Sequence, residues 1–381
     1  MNAEMIKHEI EKRVEMHREE FERIATEIFN HPEIAFQERF AQKTLCDLLE
    51  RYGFYVKRGA GSLETAFIAE YKTGKPGMTF AFMSEYDALP GLGHACGHNV
   101  IGTCGAGAGI VLKEIMEKYD IGGTLRVYGT PAEEGGGGKV IMIEDGVFDD
   151  ADMALIMHPS DMSLSDDLSF ASANKSYIFK GKPAHSAAGP WLGASALSAA
   201  ELMLHAVDTQ RVHFKDYTRV HGIIAEGGAA VNIIPDRAVC KFNMRHLKSE
   251  YLEQIIEIVD RCAKGAALCA GVEVEIKEDR RMLKDVKNDK RLVEAIEHNM
   301  DFIGEEYTSR TEAQGIGSSD VGNVTHHIPA AQFYIGIGKG LAAHTHAFAD
   351  AINGEPGKHA LIAGMKVMAM TGFDMMTRAT E

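Results

Sequence analysis

Short apolar runs that read as strands, at residues 65–71, 78–83, 125–129 and 153–157, alternate with helical patterns at 102–118 and 139–144. That alternation commits the first part of the chain to an α/β layer built on a largely parallel sheet. In such sheets chemistry gathers where strands end in loops. Ahead of it, residues 1–29 read as a charged amphipathic helix. His31-Pro32-Glu33 breaks that pattern, and residues 38–52 resume helical spacing until Gly53.

The middle of the chain has a different order. A strand at 176–180, a helical Ala-rich run at 194–207, strands at 219–225 and 237–245, a helix at 250–270 and a strand at 272–277 give β-α-β-β-α-β, the order of a ferredoxin-like α+β domain. From residue 284 the chain returns to a helix (291–302), a Gly/Ser loop (315–322), a strand (331–337) and a closing helix (358–371). The expected fold class is therefore α/β: a catalytic domain of residues 1–173 and 284–381, with a largely parallel mixed sheet flanked by helices, interrupted by a ferredoxin-like domain at 174–283.

With 381 residues and 45% apolar composition, the chain can bury the cores of about two domains. Its net charge of −15 disfavours nucleic acid and anionic membranes as partners, since both reward clustered Lys and Arg. A small-molecule substrate is expected. No apolar run is long enough to span a bilayer, the first residues lack the apolar centre of a signal peptide, and a cytoplasmic location is expected. Of the six scattered cysteines, only Cys96 sits in a context that suggests a ligand.

Four segments carry the chemistry. Residues 84–99, SEYDALPGLGHACGHN, follow a strand and open into a Gly-rich helix; Cys96 and His98 flank one glycine, so thiolate and imidazole can converge on a metal. Residues 130–138, TPAEEGGGG, also follow a strand. Adjacent carboxylates in such a turn point different ways, so that one can hold a cation while the other handles a proton. Met157-His158-Pro159 ends a third strand, and AHTHAF at 343–348 lies beyond a fourth. The first three have a plain structural reading when taken singly: a core Cys-x-His pair, a solvated acidic loop, a hydrogen-bonded core histidine. Together, Cys, His and Glu donors at four strand ends suit two divalent ions with room for a bridging water.

In their order along the chain, Asp-Ala-Leu-Pro, His-Ala-Cys-Gly-His, Pro-Ala-Glu-Glu-Gly, Met-His-Pro, Lys-Pro-Ala-His-Ser-Ala and Asn-Ile-Ile-Pro-Asp resemble the amidohydrolase branch of the dinuclear metallopeptidase and aminoacylase superfamily. Leu-Gly-His-Ala-Cys-Gly-His-Asn and Gly-Ser-Ser-Asp-Val-Gly-Asn-Val most resemble its p-aminobenzoyl-glutamate hydrolase and peptidase-like dipeptidase group. The resemblance implies Cys96, His98, Glu134, His158 and His344 as metal ligands, Glu133 as general base, and Asp87 as a carboxylate that orients a ligand. Where many of the branch read Cys-Gly-His-Asp-x-His, this chain has Asn99, which favours the dipeptidase-like group. The last motif is His-Thr-His; the spacing to Phe348 favours His344, with His346 as the other choice.

For the inserted domain, the resemblance implies a lid and dimerisation role. Its His185 would enter the active site of a partner subunit and stabilise the oxyanion, while Asn232 and Arg245 hold the substrate carboxylate, with His221 a weaker candidate for that pocket. The expected partner is therefore a second copy of the chain, as a homodimer or higher oligomer. The expected cofactors are two divalent metal ions, zinc or manganese first and cobalt or nickel next. The expected reaction is hydrolysis of the amide bond of an N-acyl or aroyl amino acid or a dipeptide by a metal-activated water, with Glu133 as base. Two alternatives stand beside it: hydrolytic deamination of an aromatic amine at the same site, and a non-catalytic protein that binds metal or peptide.

Overall fold

Helix α1 (Ala3–Phe29) starts where the Asn2 side chain accepts the Met5 N–H, and it buries Ile6, Ile10, Val14, Phe21, Ile24 and Ile28, the stripe its sequence spacing requires. After α2 (Arg39–Arg51) come β1 (Tyr55–Ala60), β2 (Leu63–Lys72), β3 (Thr79–Ser84), α3 (His98–Tyr119), β4 (Thr124–Gly129), α4 (Gly138–Glu144), β5 (Met153–Ser160) and β6 (Leu164–Asp166). A second set follows: β7 (Ala171–Lys180), α5 (Ala196–Gln210), β8 (Arg219–Glu226), β9 (Arg237–His246), α6 (Ser249–Ala270) and β10 (Glu273–Leu283). The chain closes with α7 (Lys290–Ile303), β11 (Thr308–Ser309), α8 (Val321–His327), β12 (Ala330–Gly336), α9 (His346–Ile352) and α10 (Glu355–Arg378). This computed structural model describes residues 2–311 and 316–378.

The chain divides into two units, one holding the residues up to Leu168 and those from Val286 onward, the other Ser169–Asp285. In the first unit an eight-stranded sheet runs β1-β2-β4-β3-β5-β12-β6-β11. Its centre is parallel: β3 pairs in parallel with β4 and β5, and β5 with β12. Antiparallel pairs flank it, β2 on β4, β1 on β2 and β6 on β12. Side chains of a strand alternate between faces, and the central strands divide accordingly. Phe80, Phe82, Leu155, Met157, Phe333 and Ile335 join the core shared with α1, α3 and α10, while Ala81, Met83, Ala154 and Ile156 join the core under α4 and α8. Helix α3 lies hard against β3, since a Cβ at Gly105 would meet Ser84 Oγ at 2.3 Å.

The second unit is a four-stranded sheet in the order β10-β7-β9-β8, antiparallel throughout. Numbered within the unit this is fourth-first-third-second, the arrangement of a ferredoxin-like fold. Its own core joins Tyr177 and Phe179 of β7, Phe242 and Met244 of β9, Met203 and Val207 of α5, and Leu252, Ile255 and Val259 of α6.

The mixed α/β class is the one expected from the sequence, and the differences lie in short elements. Strands β1, β6 and β11 had no counterpart in the sequence reading, and β7 begins at Ala171 rather than at residue 176. Of the loop expected at 315–322, residue 315 lies outside the described residues, and α8 begins at Val321 within the remainder. Helix α3 starts four residues earlier than its hydrophobic spacing indicated, so that His98 is its first residue. Among the described residues no helix is long and apolar enough to cross a membrane.

Candidate active site

Strands β4, β3, β5 and β12 lie side by side and point the same way, so their C-terminal ends form one edge of the sheet. Each delivers part of one cluster. The segment after β3 carries Glu85, Asp87, Cys96 and His98; the turn after β4 carries Glu133 and Glu134; β5 carries His158; and the loop after β12 carries His344. Ligand sites belong at such an edge, because neighbouring strand ends bring segments distant in sequence together.

Backbone geometry at each segment is specialised. Gly97, between Cys96 and His98, is left-handed with φ 81°, and a Cβ there would meet Pro159 Cγ at 2.4 Å. Only glycine lets the Cys96–His98 turn lie against the Pro159 that follows His158. Ala132, immediately before Glu133, and His344 are left-handed without being glycine, at φ 61° and 64°. Conformations of this kind cost of order 1–3 kcal/mol and persist where the surroundings impose them, commonly at functional sites. The His344 N–H donates to Ala95 O (2.9 Å), which ties the last loop to the Cys96 segment.

The donor atoms converge. Cys96, His98 and His158 offer one atom each within 4.8 Å of one another, as do Cys96, Glu134 and His344, and also His98, Glu133 and Glu134. Each pair of sets shares one residue: Cys96, His98 or Glu134. His346 belongs to none of them: Thr345 caps α9 by accepting the Phe348 N–H, and His346 is the first residue of that helix.

Hydrogen bonds orient both imidazoles, that of buried His98 and that of half-buried His158. Nδ1 of His98 lies 2.9 Å from Asp87 Oδ1, and Nδ1 of His158 lies 2.7 Å from Pro159 O. Each acceptor requires the proton on Nδ1, which turns the Nε2 lone pair towards the cluster. Nε2 of His158 is 3.5 Å from Cys96 Sγ, and buried Nε2 of His98 has no hydrogen-bond partner among the described residues. His344 Nε2 lies 3.2 Å from Glu134 Oε1. A thiol, imidazoles and a carboxylate with lone pairs aimed at shared space fit divalent ions of borderline softness.

Electrostatics separates the two neighbouring glutamates. Burial, together with Glu85, Asp320 and Glu134, pushes the Glu133 carboxyl well above its usual range. Glu134 is held below it: burial acts upward, and the hydrogen bond from His344 and the charge of His98 outweigh it. Burial drives His158 down to about 4, so its ring is neutral, the form a ligand requires.

Four buried ionisable residues in this cluster are given no role in the sequence reading. Lys139, fully buried in the first turn of α4, places Nζ 2.6 Å from Glu85 Oε1 and 2.5 Å from Asp320 Oδ1, and its N–H donates to Asp320 Oδ2 (3.0 Å). The other oxygen of Glu85 lies 3.5 Å from His98 Nε2. Glu38, also fully buried, accepts the N–H of left-handed Ala132 (2.9 Å) and so braces the turn that carries Glu133. Glu85 and Asp320 stand inside motifs already singled out, whereas Lys139 only opens the helical pattern at 139–144.

The remaining expected residues lie on the second unit. His185 and Asn232 share one loop pair: His185 bridges Ile233, Asn232 O accepts the Ser186 N–H, and His185 Nδ1 faces the N–H groups of Ala187 and Ala188 at 3.2 Å. Arg245, half-buried on β9, donates from Nε to Asn243 Oδ1 (2.9 Å), and His221 on β8 stands opposite that same Asn243.

Residues 81–370 match the family described as Peptidase family M20/M25/M40. A human Xaa-Arg dipeptidase is 34% identical over 366 residues, 92% of this chain and 84% of that protein. One of the p-aminobenzoyl-glutamate hydrolase polypeptides of Escherichia coli (strain K12) is 37% identical over 290 residues, 71% of this chain but only 60% of that polypeptide. Among solved structures, a Bacillus subtilis protein described as a dinuclear metal binding peptidase from the M20 family superposes with TM-score 0.73 at 21% identity, covering 95% of this chain and 99% of its own. An aminobenzoyl-glutamate utilization protein from Klebsiella pneumoniae gives 0.71 at 18%, covering 98% of each chain. The structural likeness carries the fold, the sequence matches carry the kinship, and on them the chain is a hydrolase belonging to peptidase family M20/M25/M40.

Proposed function

We propose that the chain hydrolyses the amide bond of an N-acyl or aroyl amino acid or a dipeptide, with Cys96, His98, Glu134, His158 and His344 holding two divalent ions, zinc or manganese first. The observation that carries this reading is the set of three overlapping donor groups, more than a single tetrahedral ion uses. Bound there, the ions supply an activated water and polarise the scissile carbonyl.

The side chains do the rest. Glu133 sits beside the ligand Glu134 in the same donor group as His98. Its upward-shifted carboxyl suits a group that takes a proton and returns it to the leaving amine. Asp87 holds the His98 tautomer, and Glu38 holds Ala132 so that Glu133 faces inward. On the second unit, the lid and dimerisation domain in this proposal, Arg245 would clamp the substrate carboxylate, with His221 nearby on the neighbouring strand, while Asn232, which shares a loop pair with His185 at the other end of β9, would join a carboxylate clamp from the partner subunit's side. His185 would serve the oxyanion of a partner subunit. A planar guanidinium suits a carboxylate because it can donate two parallel hydrogen bonds.

Support from relatives concerns substrate class: the names of two of them specify p-aminobenzoyl-glutamate and Xaa-Arg dipeptides. The test is a panel of acyl-amino acids and dipeptides offered to protein loaded with zinc or manganese and to protein treated with chelator, read by amine release. Metal-dependent release of a free amino acid is expected. Release of ammonia from an aromatic amine instead, or no turnover on any member, overturns the proposal.

A further inference from the structure

Glu85 is a buried carboxylate beside the metal-ligand cluster with no place in the proposed reaction. It is 1% exposed, and Oε2 lies 3.5 Å from His98 Nε2, the nitrogen that Asp87 leaves for an ion. Two ligands on one tetrahedral zinc, each bonded at about 2.0–2.2 Å, stand roughly 3.4 Å apart. Glu85 is therefore at the distance of a ligand from a ligand. Yet it completes none of the three donor groups, and its other oxygen is turned to Lys139 Nζ at 2.6 Å.

Lys139 is itself fixed. It is 0% exposed, and Asp320 holds it twice, through the backbone N–H at 3.0 Å and through Nζ at 2.5 Å. An ammonium buried this deeply stays only because carboxylates surround it. One oxygen of Glu85 thus faces the permanent cation of Lys139, and the other faces His98 Nε2, where a bound ion would offer it a second.

We propose that Lys139 is a positioning residue that keeps Glu85 out of the metal's coordination shell, so that the centre is built from five protein ligands and a sixth, the Glu85 carboxylate, is withheld. The consequence is opposite in sign to that of a structural prop. Replacing Lys139 by an uncharged side chain of similar length leaves Glu85 buried without its cation, and the nearest available positive charge is the ion at His98 Nε2. The carboxylate then becomes a ligand, and the metal is held more tightly. A side chain that only supports the loop would, when removed, loosen the metal.

The inference rests on the ligand assignment proposed above, and one experiment separates the two. The full chain is loaded with zinc, challenged with excess EDTA, and zinc loss is timed for the wild type, Lys139→Met, Glu85→Gln and the double variant. Expected are equal rates for wild type and Glu85→Gln, loss about tenfold slower or more for Lys139→Met, the scale on which partners of metal ligands act, and a return to the wild-type rate in the double variant. Faster loss from Glu85→Gln would show that Glu85 is already a ligand, and faster or unchanged loss from Lys139→Met would make Lys139 a prop; either overturns this inference alone. A wild type that takes up no zinc overturns the ligand set and this inference with it. Should Lys139→Met fail to fold, Glu85→Gln decides: a wild-type rate supports the withheld carboxylate, and faster loss refutes it.

Discussion

Gly97→Ala places one methyl group at the point where the two proposed ligands of the Cys96–Gly97–His98 turn meet the His158 strand end. Two costs add. A left-handed conformation, φ 81° here, costs an L side chain about 1–2 kcal/mol. The new Cβ would also stand 2.4 Å from Pro159 Cγ and 2.9 Å from Ile352 Cδ1, an overlap with a proline ring and a buried isoleucine that costs about 1–3 kcal/mol to relieve. The sum is roughly 2–5 kcal/mol, or a fall in Tm of roughly 4–20 °C at the sensitivity of a unit this size. Gly91→Ala is the control: it too is left-handed, φ 74°, but nothing lies within 4 Å of its Cβ, so only the conformational cost applies. Thermal scans by circular dichroism, with and without zinc, should rank wild type above Gly91→Ala above Gly97→Ala. The stabilisation conferred by zinc should shrink only in Gly97→Ala, because its ligands move apart. A Gly97→Ala protein that melts with Gly91→Ala and keeps the full zinc effect would refute the close approach.

Three further outcomes are expected. His344→Ala should lose metal, measured by elemental analysis after gel filtration, while His346→Ala keeps it, because only His344 joins a donor group; the reverse would exchange their roles. Glu38 is raised by burial to about 7 from the 4.5 of a free glutamate, so the folded chain holds its proton more firmly than the unfolded one. Its contribution to stability is full below about pH 4.5 and is lost as pH rises through about 7, roughly 3 kcal/mol in all. Urea melts of Glu38→Gln should therefore show a flatter decline across that window than wild type, and an equal decline would show that Glu38 does not titrate there. Mixing Glu133→Ala with His185→Ala subunits should restore activity to about a quarter of wild type if His185 serves a partner's site in a twofold dimer; no recovery, with exchange verified by labelled subunits, would leave His185 an ordinary loop residue.

What could be read from the sequence was what recurs locally. Cys96, Glu133, His158 and His344 each stand in a segment that an apolar strand pattern leads into, and hydrophobic periodicity finds strands of that length. The inserted unit was legible for the same reason, since six strongly patterned elements in a fixed order leave few topologies. Short elements escaped: β6 and β11 have three and two residues, too few to show a period, and they exist because neighbouring strands offer an edge. The triad of Lys139, Glu85 and Asp320 escaped for a different reason. Lys139 and Asp320 are 181 positions apart, and a lysine in the first turn of a helix ordinarily faces water. Only the stacking of α4 and α8 on one face of the sheet turns it inward. The left-handed conformations of Ala132 and His344 left no trace in sequence either, because neither residue is a glycine.

The division of labour between Glu133 and Glu134 is tested most directly by one paired measurement: zinc titration and turnover of an acyl-amino acid by Glu133→Gln and Glu134→Gln side by side. If Glu133 is the base, Glu133→Gln binds zinc as the wild type does and loses turnover by about 10²–10⁴-fold, the usual worth of a positioned proton carrier. Glu134→Gln instead binds zinc more weakly, since its carboxylate belongs to two of the donor groups. Variants that bind zinc alike, or a Glu133→Gln protein that turns over substrate at the wild-type rate, would contradict the assignment of Glu133 as base and Glu134 as ligand.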